Sequence, residues 1–215
     1  PILFVLILSI IITLAFIQHE KKTLKEEIIE LKRDYLVVNK QRVEYEVNSV
    51  FNYLKDEIKN SEKALKKETK DRVYEAHSIA TNIFNEESKK DIEGHLHSKE
   101  HIFQTIKNAL GGIIYNNGRG YFFITDITGN ILLQPLNKKL EGKNYLNYRD
   151  AKGYQFAKTM VDTIKNKSET YDSYFWYKDK VNTYKKIVFY KYFEPLNIAI
   201  GTGEYVKDFE NNMNI

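Results

Sequence analysis

Between Gln18 and Asn85 there is no proline and no glycine, so 68 consecutive residues contain nothing that breaks a helix. Apolar side chains recur within this stretch at Leu24, Ile28, Leu31, Tyr35, Val38 and Tyr45, with the spacing of a heptad seam. A second phase, Val47, Phe51, Leu54, Ile58 and Leu65, begins two residues past Tyr45. A slip of that kind passes the seam to a new partner. Val73, Ala76, Ile79, Ala80 and Ile83 then widen the apolar face, the pattern of a helix that leaves a stalk to lie on a globular body. The pattern predicts a continuous helix of about 100 Å at 1.5 Å per residue. Its seam suits a homodimer, and its stiffness suits delivery of a displacement as a rigid-body shift. A passive spacer or dimerisation coil would carry the same seam.

The residues before this helix are of a different kind. Pro1 to Ile17 carries no charge, and only Ser9 and Thr13 are polar. At 1.5 Å per residue such a stretch reaches the lower limit for crossing a hydrocarbon core of ~30 Å. Residues 1–17 are therefore read as a transmembrane helix with a truncated start, since the stretch opens on Pro1. A signal peptide fits less well, because a basic n-region is absent and Ala15-Phe16-Ile17 is a poor cleavage site. The polar remainder is expected outside the cytoplasm.

Composition narrows the function classes. The chain has no cysteine, which excludes disulfides, a thiolate nucleophile and cysteine zinc sites. With 42% hydrophobic and 29% charged residues it is neither disordered nor collagen-like. The net charge of +4 is uneven: residues 18–100 hold 17 basic and 18 acidic side chains, and residues 101–215 hold 16 basic and 11 acidic. No compact Lys/Arg run suggests a nucleic-acid partner. G-x-S-x-G, H-E-x-x-H and Walker A patterns are absent, so neither an enzyme nor a cofactor is expected. Glu141 and Asp150 read as local capping groups.

After Asn85-Glu86-Glu87-Ser88 and Gly94 the pattern restarts. Ser98 caps a second helix carrying Ile102, Phe103, Ile106, Leu110 and Ile113, closed by Asn116-Asn117-Gly118. Strands are predicted at Gly120 to Asp126 and Asn130 to Pro135, joined by a Thr128-Gly129 turn. A helix from Ala151 to Asn166 follows, with Phe156, Met160, Val161 and Ile164 inward. Three more strands, Glu169 to Lys178, Thr183 to Phe193 and Asn197 to Tyr205, are separated by Asp179-Lys180-Val181-Asn182 and by Pro195. The economical arrangement is α+β: a long N-terminal helix, then a five-stranded antiparallel sheet with helices on one face. Gly120, Gly142, Gly201 and Gly203 are expected to serve backbone geometry. Asn211 to Ile215 ends the chain soon after the last strand, as in a fragment.

At Arg72 to Phe84 (RVYEAHSIATNIF), Arg119 to Asp126 (RGYFFITD), Gln134-Pro135, Glu141 to Asn144 (EGKN), Asp150 with Gly153, Tyr174 to Lys178 (YFWYK), Lys185-Lys186 and Gly201 to Tyr205 (GTGEY), the sequence resembles the single-Cache sensor domains. These are PAS-like extracytoplasmic modules of bacterial chemoreceptors and sensor histidine kinases, and the segments stand in the family's order. The resemblance implies a pocket for a small ligand, commonly a short carboxylate, between the sheet and the insertion after the first hairpin. Carried over by position, its candidates are Tyr121, Phe123, Gln134, Tyr145, Trp176, Lys186 and Tyr190. Family members often have Arg where Ile114 stands and His where Gln134 stands, which moves anion anchoring toward Arg119 and Lys186. Lys185 and Lys186 alternate in one strand, so one of them faces solvent, and the sequence leaves open which.

His95, His97 and His101 form a separate cluster. His97 and His101 share a helix face if the second helix starts by His97, a spacing that can chelate a transition metal. Glu93 and Glu100 are near, but no Asp or Cys completes a set. Solvated histidines without metal are the simpler expectation, with metal sensing as an alternative. The expected organisation is thus 1–17 transmembrane, 18–70 stalk and 71–210 single Cache domain. Such a chain is a ligand-binding receptor module in the bacterial inner membrane, its sensor in the periplasm or outside and an output domain such as a histidine kinase or cyclase beyond Ile215. The competing expectation is a dimerising protein-interaction module whose own aromatic side chains fill the pocket.

Overall fold

With nothing in its sequence to stop it, the first helix, α1, runs from Ile2 to Glu87. The computed structural model describes residues 2–90, 94–177 and 182–212. It divides into two compact units, Pro1–Asp56 and Glu57–Ile215. In the first unit the described residues are all helical, and the seam side chains are exposed, Leu31 at 71% and Tyr35 at 68% among them. Its N-terminal stretch has a mean hydropathy of 2.5 over an 18-residue window with none of that window buried. By length and composition it is a helix able to cross a membrane.

The second unit begins on the later turns of α1, where Leu65, Val73, Ala76 and Ala80 are fully buried. The elements that follow are α2 (Lys99–Gly111), β1 (Ile114–Tyr115), β2 (Gly120–Asp126), β3 (Ile131–Leu133), α3 (Phe156–Lys165), β4 (Glu169–Tyr177), β5 (Thr183–Phe193), β6 (Ile198–Tyr205) and α4 (Val206–Asn212). The strands form one antiparallel sheet in the order β1-β2-β6-β5-β4, with β3 also paired to β2. The α+β class holds, with six strands where the sequence predicts five. The extra strand is only two residues long, too short for any alternation. It forms because Asn116 and Asn117 adopt left-handed backbone (φ 49° and 55°) and return the chain at once, pairing Ile114 with Tyr121.

A second difference concerns the layers. Phe122 and Ile124 of β2 join Ala76 and Ala80 of α1 and Ile102, Ile106 and Leu110 of α2 in one core. Tyr121 and Phe123 point the other way and pack with Phe156, Ala157 and Met160 of α3. Helices therefore cover both faces, not one, and β2 is buried along nearly its whole length. The helix predicted from Ala151 starts at Phe156 instead. Asp150 accepts the backbone N–H groups of Lys152 and Tyr154 at 2.8 Å each, and Gly153 takes φ +87°, so the preceding residues form a tight loop. Ser98 caps α2 as predicted, accepting the His101 N–H at 3.1 Å, but the helix ends at Gly111 and leaves Ile113 beyond it. The predicted turn residues Asp179, Lys180 and Val181, and the tail from Met213, lie outside the described residues.

Candidate ligand-binding site

Strand parity assembles the site. In β5, Lys186, Val188 and Tyr190 point to the α3 side, while Lys185 points to the α1 side and pairs there with Glu62. In β4, Tyr174 and Trp176 share a face for the same reason, and in β2 Tyr121, Phe123 and Thr125 do. Most of these side chains converge beneath α3 on a small cavity whose walls include Tyr121, Phe123, Gln134, Trp176 and Lys186 from the predicted set. Thr125, Ile131, Phe156, Met160 and Tyr174 complete the lining. Counted over the positions a water centre can occupy, its volume is about 20 Å³, room for about one water.

The chemistry of this cavity centres on Lys186, which is 3% exposed. Its ammonium donates to the Tyr121 hydroxyl at 2.9 Å and lies 4.6 Å from the Tyr121 ring centroid and 5.6 Å from that of Tyr205. Among the described residues no carboxylate pairs with it, whereas Lys185 pairs with Glu62 and Lys191 with Glu169. A cation in such surroundings is costly without an anion beside it. Gln134, 9% exposed, adds an amide whose Oε1 is buried without a hydrogen-bond partner. The Tyr190 hydroxyl faces Tyr174 but makes no well-formed hydrogen bond with it. Burial pushes the pKa of both phenols well above the ordinary value, so they stay neutral.

Beside the small cavity lies a larger hollow of about 320 Å³, sharing Tyr121, Gln134 and Trp176 as a common wall. Arg119, Tyr205 and Asp208 line its other side. Here Arg119 Nη2 pairs with Glu204 at 3.0 Å, and its Nη1 donates to the Asp208 carbonyl at 3.4 Å. Burial raises the Glu204 pKa above the ordinary carboxylate value, an effect opposed by the Asn116 amide hydrogen bond and by Arg119.

A family model of the Cache domain matches residues 20–214. The chain belongs to the Cache family. Solved structures agree in fold. One, from a study of carboxylic acid recognition by a Cache chemosensory domain, is 24% identical with a TM-score of 0.56 and covers 67% of this chain and 95% of that one. The periplasmic sensor domain of a chemotaxis protein is 23% identical at TM-score 0.53, covering 63% and 93%. A methyl-accepting chemotaxis protein from Vibrio parahaemolyticus RIMD 2210633 is 22% identical at TM-score 0.57, covering 71% and 96%.

Within this Cache domain the other three candidates stand back from the small cavity. Tyr145 packs on Trp176 and Phe156, each with ring centroids 6.4 Å away, and so forms an outer layer. Tyr190 is wholly buried behind Phe123, edge to face at 5.7 Å. Arg119 lines only the adjoining hollow. Of the lining residues not predicted, Tyr174 and Thr125 were within reach of strand parity, since Trp176 implies Tyr174 and Phe123 implies Thr125. Local capping describes Asp150 only in part, and Glu141 hardly at all: Asp150 also accepts the Phe175 N–H of β4 at 2.8 Å, and Glu141 accepts the Gln134 N–H at 2.9 Å and pairs with Lys107 of α2, so both tie the insertion to distant elements.

Proposed function

We propose that this Cache domain is the extracytoplasmic ligand-binding sensor of a bacterial membrane receptor, and that its ligand is a small molecule carrying a carboxylate. Supporting this reading above all is Lys186, a buried ammonium with aromatic walls, a hydroxyl and an unpartnered amide around it, and no carboxylate of the described residues beside it. In it, the ligand carboxylate takes the anionic place at Lys186, Tyr121 donates its hydroxyl, and the Gln134 amide turns to present its N–H₂. Phe123, Trp176 and Tyr174 exclude water around the apolar part. Residues 1–17 serve as a transmembrane anchor in the inner membrane, residues 18–70 as a dimerising stalk and residues 71–210 as the sensor. The chain itself catalyses no reaction and binds no nucleic acid. The ligand shifts the receptor between two arrangements to the extent that it binds one more tightly.

The cavity beneath α3 is far smaller than the roughly 300–1,000 Å³ of ordinary ligand sites. That size favours a second reading, in which the centre is permanently filled by its own aromatic side chains and the domain binds another protein. The two separate on one experiment. Isothermal titration against acetate, propionate, pyruvate, lactate and C4 dicarboxylates is expected to give saturable binding of at least one, with affinity lost in Lys186→Ala and Gln134→Ala. Binding of none removes the carboxylate assignment, and binding unchanged in both variants removes the site.

A further inference from the structure

The last turn of α1 and the start of α2 bring together three side chains that take no part in the cavity. Glu87 Oε2 lies 2.5 Å from His97 Nδ1 and 3.4 Å from His101 Nε2. The two imidazole centroids are 4.4 Å apart, and the three donor atoms all fall within 4.8 Å of one another. Glu87 Oε2 is buried and makes no hydrogen bond of sound geometry, despite its closeness to both rings. The sequence points to His97 and His101 but not to Glu87, which stands ten residues before His97. Glu93 lies outside the described residues, and Glu100 is engaged with Gln104 at 2.8 Å.

Two imidazole nitrogens and one carboxylate oxygen are the donor set of three-ligand zinc sites, which keep a fourth position for water. A tetrahedral ion with bonds of about 2.0–2.1 Å sets its ligand atoms about 3.3 Å apart. The Glu87–His101 separation already matches, and the Glu87–His97 contact has to open by less than about 1 Å. His97 precedes the Ser98 cap, outside the helical hydrogen bonding that holds His101, so its ring can make that adjustment. Side-chain exposures of 27% for Glu87, 40% for His97 and 55% for His101 leave an approach from solvent. We propose that Glu87, His97 and His101 form a site for a borderline divalent transition metal of the zinc, cobalt or nickel type, completed by water. Nitrogen donors of this kind disfavour magnesium and calcium, which take oxygen ligands. A bound ion clamps the end of α1 to the start of α2 and stabilises the folded domain by mass action. The site is independent of the carboxylate reading and stands or falls without it.

The test uses the full chain in detergent, stripped with a chelator and titrated separately with zinc, cobalt, magnesium and calcium chloride. One zinc per chain is expected, with a tetrahedral visible spectrum for cobalt, a higher thermal midpoint with zinc and no competition from magnesium or calcium. Glu87→Gln and His97→Ala are each expected to weaken zinc by more than the roughly 10–100-fold typical of outer-shell changes, and His19→Ala not at all. His101→Gln serves as a second variant should an alanine substitution disturb the fold, which the metal-free thermal midpoint reports. Absence of saturable zinc binding overturns the proposal. So does zinc binding that survives the double variant His97→Ala/His101→Ala, or calcium and magnesium bound as tightly as zinc.

Discussion

A single side chain, Lys186, separates a built binding site from an ordinary core. A lysine kept buried for structure loses stability when its charge is removed, because its partners are then stranded. A lysine held for an absent anion gains instead. Lys186→Met, which keeps the apolar stem and removes the charge, is therefore expected to raise the unfolding free energy of the ligand-free protein by about 1 kcal/mol while abolishing carboxylate binding. Urea denaturation alongside titration reads both, and a destabilised variant would count against the site. Gly201 makes a different point. A Cβ there would stand 2.7 Å from Phe123 ring atoms and 2.8 Å from Tyr190 Cδ1. Its φ is not in the left-handed region, so the glycine serves close side-chain packing more than the backbone freedom read from sequence. Gly201→Ala is expected to cost about 1–3 kcal/mol by overpacking, seen as a lower urea midpoint with unchanged m-value.

Between elements, one carboxylate gathers several of the contacts between α1 and the outer strand pair. Glu169 of β4 receives Lys70 at 2.8 Å and Tyr74 at 2.7 Å from α1, and Lys191 at 2.7 Å from β5. Burial pushes its pKa up, but the hydrogen bonds from Lys191, Lys70 and Tyr74 outweigh that and hold it down to about 2. A carboxyl whose pKa is depressed by folding stabilises the fold fully above its unfolded value of about 4.3, and the contribution is lost as pH falls toward the folded value. Glu169 is partly exposed, so the contribution is discounted for solvent screening to about 1–2 kcal/mol. Glu169→Gln is expected to destabilise by that amount at neutral pH, with the gap to the unaltered protein closing between about pH 5 and pH 2. A gap independent of pH would show that Glu169 acts by packing alone.

At the scale of the whole molecule, lipid is the proposed partner of the exposed apolar side chains of residues 2–17, and a second chain is that of the seam. Deletion of residues 2–17 is expected to move the protein from the membrane fraction to the soluble fraction, and a chain still in the pellet would refute the anchor. In that soluble form, Leu24→Asp with Leu31→Asp places charge on the seam and is expected to shift sedimentation equilibrium from dimer to monomer at micromolar concentration. An unaltered mass would assign dimerisation, or its absence, elsewhere.

What depends on neighbours along the chain is legible before folding. The absence of Pro and Gly made α1 continuous, β-rich runs bounded by turn residues placed β2, β4, β5 and β6 to within one residue at each described end, and ordered motifs marked the Cache family. The sequence also named Tyr121, Phe123, Gln134, Trp176 and Lys186, which line one cavity. Tertiary structure decided what depends on groups distant along the chain. Parity separates Lys185 from Lys186, but only the placement of α1 on one face and α3 on the other shows that Lys186 is the buried one. Likewise Ile114–Tyr115 becomes a strand only because a left-handed Asn pair turns it onto β2, and Glu87 meets His97 and His101 only across a loop. Periodicity is a local property of the backbone, whereas burial and the identity of a charged group's partner are set by elements that arrive from elsewhere in the chain.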